Sequence, residues 1–199
     1  DARGAELPPL REVRIEDLLG RRPVHLDLAR VERDLGRRTV LVTGGAGSIG
    51  AELARQIAGF GPSRLVILER AESPLYFVHL ELSEAYPGIE VIPVIGDVTD
   101  PARLDEVFAE YRPDHVFHAA AYKHVPMCEA HVAEAVRNNV VGTLLVAECA
   151  ARHGATRFVL VSTDKAVNPS SVMGATKRLA ERIVLRWPAL RASALGGSA

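Results

Sequence analysis

The residues best suited to do chemistry gather in one run, "STDKAVNPSSVMGATK", from Ser162 to Lys177. Thr163, Asp164 and Lys165 place a hydroxyl, a carboxyl and an amine on successive positions. A carboxyl and an amine side by side can act as an acid and a base on one bond, and this triplet supplies both. A lysine serves as a base only where burial or nearby positive charge brings its pKa down. The plainer reading of Asp164 and Lys165 is a solvated ion pair on a loop, which contributes little. Met173 stands four residues before Lys177, so on a helix the two side chains share a face. A thioether neither accepts nor relays a proton. Position 173 therefore offers packing.

A second group could hold a phosphate. In "VTGGAGSIG", Gly44, Gly47 and Gly50 form G-x-x-G-x-x-G between a strand-like run and a helical one, with Ser48 and Ile49 at the helical end. Such a turn brings backbone N–H groups against a pyrophosphate at a helix N-terminus, where any Cβ would hold the phosphate away. Glu69 lies about 20 residues further on, where a carboxylate can bind ribose hydroxyls. Arg70 beside it could instead face a 2′-phosphate, so NADP is possible, but Glu69 favours NAD. Asp97 and Val98, in "GDV", stand where an adenine edge would lie, although Asp97 could equally cap the next turn. Ala119 and Ala120 are small enough for a cofactor to approach closely.

The elements that must position these residues follow a regular order. "RTVLVT", "RLVILE", "EVIPVIG", "HVFHAA" and "RFVLVS" are short apolar runs without alternation, as in strands buried on both faces of a parallel sheet. Helical segments separate them. "IGAELARQIAGFG" ends on glycine, and "DPARLDEVFAEYRP" opens with Asp100 as N-cap and Pro101 at the first helical position and stops at Pro113. "EAVRNNVVGTLLVAECAARHG" reads as one long helix, and "SVMGATKRLAERIVLRW" as the last one. Strand–helix alternation of this kind predicts an α/β, Rossmann-like, doubly wound parallel sheet.

Composition narrows the partners. The chain has 199 residues, 48% of them hydrophobic, and a formal net charge of −1, so it lacks the basic surplus expected of a nucleic-acid binder. No run approaches the roughly 20 apolar residues of a membrane span, and no signal peptide opens the chain. Cys128 and Cys149 lack metal-ligand spacing and read as packing residues of a reduced, cytoplasmic protein, with no metal site.

The stretches "VTGGAGSIGAELARQI", "AAYKHVP" and "STDKAVNPSSVMGATKRLAERIV" resemble the extended short-chain dehydrogenase/reductase superfamily. More narrowly, they resemble its polysaccharide-biosynthesis UDP-N-acetylglucosamine 4,6-dehydratases. The resemblance covers about residues 38 to 184. "VRIEDLLGR" is similar to the segment preceding this domain in long, membrane-anchored members. Met173, where most relatives carry tyrosine, matches the long subgroup that keeps the configuration at carbon 5. The implied reaction on a UDP-sugar is oxidation at carbon 4, loss of water across carbons 5 and 6, and return of the hydride at carbon 6.

The resemblance also implies roles. Thr163 hydrogen-bonds the carbon-4 oxygen, Asp164 protonates the leaving hydroxyl and Lys165 takes the carbon-5 proton. Lys177 holds the nicotinamide ribose. Lys123 and His124, past the fourth strand, are expected on the substrate side. Asn139 is grouped with them as the polar residue that helps position the active-site loop.

The expected organisation is an N-terminal arm (1–37), a Rossmann domain (38–188) truncated before the C-terminal substrate lobe, and a disordered tail (189–199). A homo-oligomer is expected, on the cytoplasmic face of a membrane if the parent carries an anchor. An epimerase or C5-inverting dehydratase of the same superfamily, or a dinucleotide-binding module without turnover, are the alternatives.

Overall fold

A computed structural model describes residues 27–194 and Gly196. Five parallel strands form one sheet in the order β3-β2-β1-β4-β5: β1 (Thr39–Thr43), β2 (Arg64–Glu69), β3 (Glu90–Ile95), β4 (His115–His118) and β5 (Arg157–Leu160). The order reverses between β1 and β4, and the crevice beyond the carboxyl ends at such a switch point is where these sheets bind ligands.

Strand alternation divides the core between the two faces. Val40 and Val42 of β1, with Leu65 and Ile67 of β2, pack on α1 (Leu28–Leu35), α2 (Ser48–Ala58) and α3 (Glu72–Ala85). Leu41, Val66, Leu68 and Val116 point the other way, onto α4 (Pro101–Tyr111) and onto a later helix, Gly142–Arg152. Asp100 caps α4 through Ala102 N and Arg103 N, with Pro101 in its first turn, and Arg112 ends the helix at φ +44°.

Two strands differ from the continuous burial expected of all five. β1 is buried throughout, but β3 and β5 alternate between exposed and covered positions. They are the sheet edges, and Pro93, which lacks an N–H for the ladder, is tolerated on an edge strand.

The long helix expected over residues 134–154 is present with a π turn inside it. A short helix, α5 (Val125–Ala130), precedes α6 (Val132–Val136), a π-helical turn (Arg137–Val141) and α7 (Gly142–Arg152), and these last three follow one another without a gap. A π turn adds a residue to one helical turn and often marks a functional site. Here it carries Asn138 and Asn139, both buried.

The boundaries shift at both ends. α1 lies within the expected arm, capped by Asp27, and its Leu35 joins the core. The rest of the arm, residues 1–26, lies outside the described residues. The disordered tail expected from residue 189 is instead helical as far as Ala194: α8 (Val172–Leu185) is followed by α9 (Trp187–Ala194). Trp187 is the anchor. It is 8% exposed and donates from Nε1 to the Ala147 carbonyl at 3.1 Å, and Leu190 packs on the same core. Residues 195 and 197–199 lie outside the described residues.

Candidate active site

The glycine turn closes on β4. Gly44 has φ +67°, and a Cβ there would lie 2.6 Å from the Ala120 backbone. A Cβ on Gly50 would lie 2.0 Å from the Gly44 carbonyl oxygen, so this glycine sets how closely α2 packs on the strand end. Gly47 differs: its only near neighbour would be the Gly44 oxygen, at 3.3 Å. The space it leaves opens outward, in front of α2, whose first-turn N–H groups (Ser48, Ile49, Gly50) have no intrahelical acceptor. A pyrophosphate fits this cradle, which a side chain at position 47 would fill.

The cleft in front of the turn is lined by Gly44, Gly47, Glu69, Arg70, Asp97 and Val98, with Ala119 and Ala120 at its floor. The spacing argument therefore brought together residues from four strand ends. Glu69 Oε1 accepts from the N–H groups of Arg70 (2.9 Å) and Ala71 (3.2 Å), which fixes its carboxylate at the rim. Asp97 Oδ1 accepts from Thr99 N and Thr99 Oγ1, both at 2.8 Å. Burial alone would raise the Asp97 pKa, but these bonds and the Arg70 charge outweigh it and hold the carboxyl below its usual value. Asp97 thus caps its own turn and also lines the cleft. Arg70 borders the same cleft, with its guanidinium already engaged. It lies over the Tyr122 ring and donates to the Tyr122 hydroxyl at 2.8 Å.

A neighbouring cleft shares Ala119, Ala121 and Tyr122 with the first and is bordered by Ile49, Lys123, His124, Thr163, Lys165, Met173 and Lys177. Lys123 Nζ donates to Ser48 Oγ at 3.0 Å, tying the post-β4 loop to the start of α2. Thr163 caps a short 3₁₀ turn, Asp164–Ala166. Asp164 Oδ1 accepts from Thr163 Oγ1 and Lys165 N, each at 3.0 Å, and lies 3.6 Å from Lys165 Nζ. The Thr163 hydroxyl, followed by the Lys165 charge, holds the Asp164 carboxyl below its usual range. Both side chains are open to solvent, Asp164 at 82% and Lys165 at 57% exposure, so the solvated ion pair is the arrangement present here. A carboxylate held this way accepts protons and does not donate them, so an acid role for Asp164 requires different surroundings.

Met173 and Lys177 are both buried on α8. Met173 packs with Cys128 and Ala135. Lys177 Nζ donates to the Val161 carbonyl at 2.6 Å, and burial brings its pKa down to about 8, with Glu181 opposing the shift.

Asn139 does not sit among the substrate contacts. It is 1% exposed and clamps Tyr122, accepting from Tyr122 N at 2.7 Å and donating to Tyr122 O at 3.0 Å. The π turn aims it there, which a regular-helix reading could not foresee.

His118, which spacing did not single out, lies at the centre of this frame. Thr143 Oγ1 donates to the Asn139 carbonyl at 2.7 Å, so it accepts from His118 Nε2–H at 3.0 Å. His118 Nδ1 is then left to accept from the Thr43 hydroxyl at 2.6 Å. Complete burial, with a smaller contribution from the Lys177 charge, pushes the His118 pKa down to about 3, so the ring is neutral. The chain continues from Asn139 to Thr176 (3.0 Å) and from Thr176 to the Met173 carbonyl (2.7 Å). One buried polar path therefore joins the end of β1 to α8. The only sequence cue was a polar residue ending a buried strand.

Comparison with known proteins agrees with this architecture. Residues 40–193 match the model of a family described as "Polysaccharide biosynthesis protein". The chain is 51% identical over 180 residues to the capsular polysaccharide biosynthesis protein CapD of Staphylococcus aureus, covering 90% of this chain and 30% of CapD. It is 31% identical over 148 residues to a UDP-N-acetylglucosamine 4,6-dehydratase (inverting) of Campylobacter jejuni, covering 74% of this chain and 42% of that protein. It thus spans less than half the length of either relative. Among solved structures, UDP-glucose 4-epimerase from Bifidobacterium longum in complex with NAD⁺ and UDP superposes with a TM-score of 0.65 at 27% identity, covering 74% of this chain and 48% of that one. The chain belongs to this polysaccharide biosynthesis protein family, within the extended short-chain dehydrogenase/reductase superfamily.

Proposed function

We propose that this chain is the dinucleotide-binding and catalytic-loop portion of a nucleotide-sugar 4,6-dehydratase acting on UDP-N-acetylglucosamine with NAD. The observation that carries the reading is the convergence of two adjoining clefts at the β1–β4 switch point. One is walled by the glycine cradle and the carboxylates of Glu69 and Asp97, the other by Thr163, Lys165, Met173 and Lys177. The similarity to a dehydratase that uses this sugar nucleotide adds support.

When bound, the nicotinamide supplies a reversible hydride acceptor. The chain's own residues do the rest. The Thr163 hydroxyl orients the carbon-4 oxygen, Asp164 takes the carbon-4 hydroxyl proton on oxidation and passes it to the departing carbon-6 hydroxyl, and Lys165 removes the carbon-5 proton and later returns it to carbon 5. Covering the loop moves both ionisable groups the right way, because desolvation raises a carboxyl pKa and lowers an amine pKa. Lys177, fixed on Val161, contributes positive charge beneath the site and donors to a ribose. Met173 fills the slot without a titratable group, which supports the configuration-retaining dehydratase over an epimerase. Lys123 and His124 border the substrate side.

A cytoplasmic setting fits the two free, buried cysteines. Among the described residues no helix is long and apolar enough to cross a membrane.

Mass spectrometry after incubation with UDP-N-acetylglucosamine and NAD⁺ in deuterated water tests the reading. A catalytically competent protein carrying this chain is expected to release a product lighter by one water, with solvent deuterium at carbon 5. An isomer of unchanged mass would make it an epimerase instead. The 199-residue chain alone is expected to show no turnover, because Asp164 and Lys165 stand in solvent. Robust product from it would overturn the assignment of the loop.

A further inference from the structure

We infer that Tyr122 sets the dinucleotide preference of the cleft. It draws Arg70 away from the ribose edge, so the site takes a cofactor with a free 2′-hydroxyl and rejects one with a 2′-phosphate. This inference rests on the dinucleotide reading above and deepens it.

Arg70 follows Glu69 at the carboxyl end of β2, where a guanidinium turned toward the ribose would pair with a 2′-phosphate. It is turned away. Its guanidinium carbon lies 4.9 Å from the centroid of the Tyr122 ring. Its Nη1 donates to the Tyr122 hydroxyl at 2.8 Å and lies 3.7 Å from Asp97 Oδ2. A stacked, hydrogen-bonded, charge-paired guanidinium gives up three interactions if it leaves.

Both anchors are themselves fixed. Asn139 holds the Tyr122 backbone at its N–H and its carbonyl, and Thr99 holds Asp97 through two bonds. The Tyr122 ring is therefore presented to Arg70 from a fixed backbone. Glu69 stays at the rim, its carboxylate pinned by two backbone N–H groups. A 2′-phosphate arriving there meets the Glu69 charge beside a cation already committed to Tyr122 and Asp97, whereas a 2′-hydroxyl finds an acceptor. The determinant is thus a residue 52 positions from Arg70 in sequence.

Calorimetric titration of the 199-residue chain with NAD⁺ and with NADP⁺ tests this, using the unmodified protein, Tyr122→Phe, Tyr122→Leu, Arg70→Gln and the double variant Tyr122→Leu/Arg70→Gln. The unmodified protein is expected to prefer NAD⁺. Tyr122→Leu frees the guanidinium and should raise the affinity for NADP⁺ relative to NAD⁺ roughly tenfold, the scale of one charge-assisted hydrogen bond. Tyr122→Phe, which loses only the hydroxyl and keeps the packing, should move the ratio part of the way. Adding Arg70→Gln to Tyr122→Leu should cancel the gain. A purely structural role for Tyr122 would weaken both cofactors in parallel, and that result overturns the inference. So does an unchanged ratio in Tyr122→Leu, or a preference of the unmodified protein for NADP⁺ that Arg70→Gln abolishes. If the unmodified protein binds neither dinucleotide, the dinucleotide reading fails and this inference fails with it.

Discussion

The glycine turn after β1 and the 3₁₀ turn after β5 stand at carboxyl ends of the same sheet, yet they are built in opposite ways. The first is locked by backbone contacts so close that side chains at Gly44 and Gly50 would collide with main-chain atoms. Its floor is braced by a buried polar path through His118 and Asn139. The second turn is held by short-range bonds among Thr163, Asp164 and Lys165, and its acid and base face solvent. The difference teaches that a turn can be fixed by packing or left to local bonds within one sheet. The cradle is finished by the chain's own packing, whereas Asp164 and Lys165 are held only to their neighbours and stand in solvent.

Four measurements would break or sharpen this contrast. The largest effect should come from the exposed turn, and only on rate. In a catalytically competent protein, Asp164→Asn or Lys165→Ala should cost roughly 10²- to 10⁴-fold in kcat, the usual share of general acid–base catalysis. The melting temperature should barely move, since exposed substitutions are nearly neutral. A large stability loss in either variant would show that the turn is structural.

The cradle should respond in the reverse sense. Gly50→Ala forces a Cβ against the Gly44 carbonyl and should cost about 1–3 kcal/mol of stability, with dinucleotide binding impaired. Gly47→Val meets little of the protein itself, so it should abolish dinucleotide binding while leaving the melting temperature close to normal. If the Gly47 variant binds normally by calorimetry, the pyrophosphate site is elsewhere.

The His118 brace predicts a pH dependence. Its folded pKa, about 3, lies below the ordinary histidine value of 6.5, so between these limits the unfolded chain binds more protons than the folded one. The stability due to neutral His118 is complete above about pH 6.5 and falls as pH drops toward about 3. Going from about pH 7 to about pH 5 should remove on the order of 2 kcal/mol, read from urea midpoints, and His118→Gln should lose most of that slope. An equal slope in the variant would move the acid sensitivity to other groups. Lys177 has the same sign at higher pH: with its folded pKa near 8 and the ordinary value 10.5, stability should rise between them.

The smallest effect is expected at Met173. Leucine keeps the apolar volume against Cys128 and Ala135, so Met173→Leu should cost less than about 1.5 kcal/mol in stability and little in rate. A dead Met173→Leu enzyme with an active Lys165→Ala one would reverse the roles given to the loop.

What the sequence determined by itself was local. Glycines at fixed spacing after a buried strand, Asp100 before Pro101, and carboxylates at the ends of the second and third strands each act within a few residues of their own backbone. Their places at the strand ends and helix starts could be read before any fold was known. The tertiary structure alone decided how distant segments meet. It turned Arg70 onto Tyr122, made edges of β3 and β5, packed Trp187 over Ala147, and used a π turn to point Asn139 at Tyr122. It also decided that the acid and base of Asp164 and Lys165 stand in water while Lys177 is buried. Residue type sets what a group can do, but its partners and its burial come from chain segments tens of residues away, and those fix its charge state and its reach.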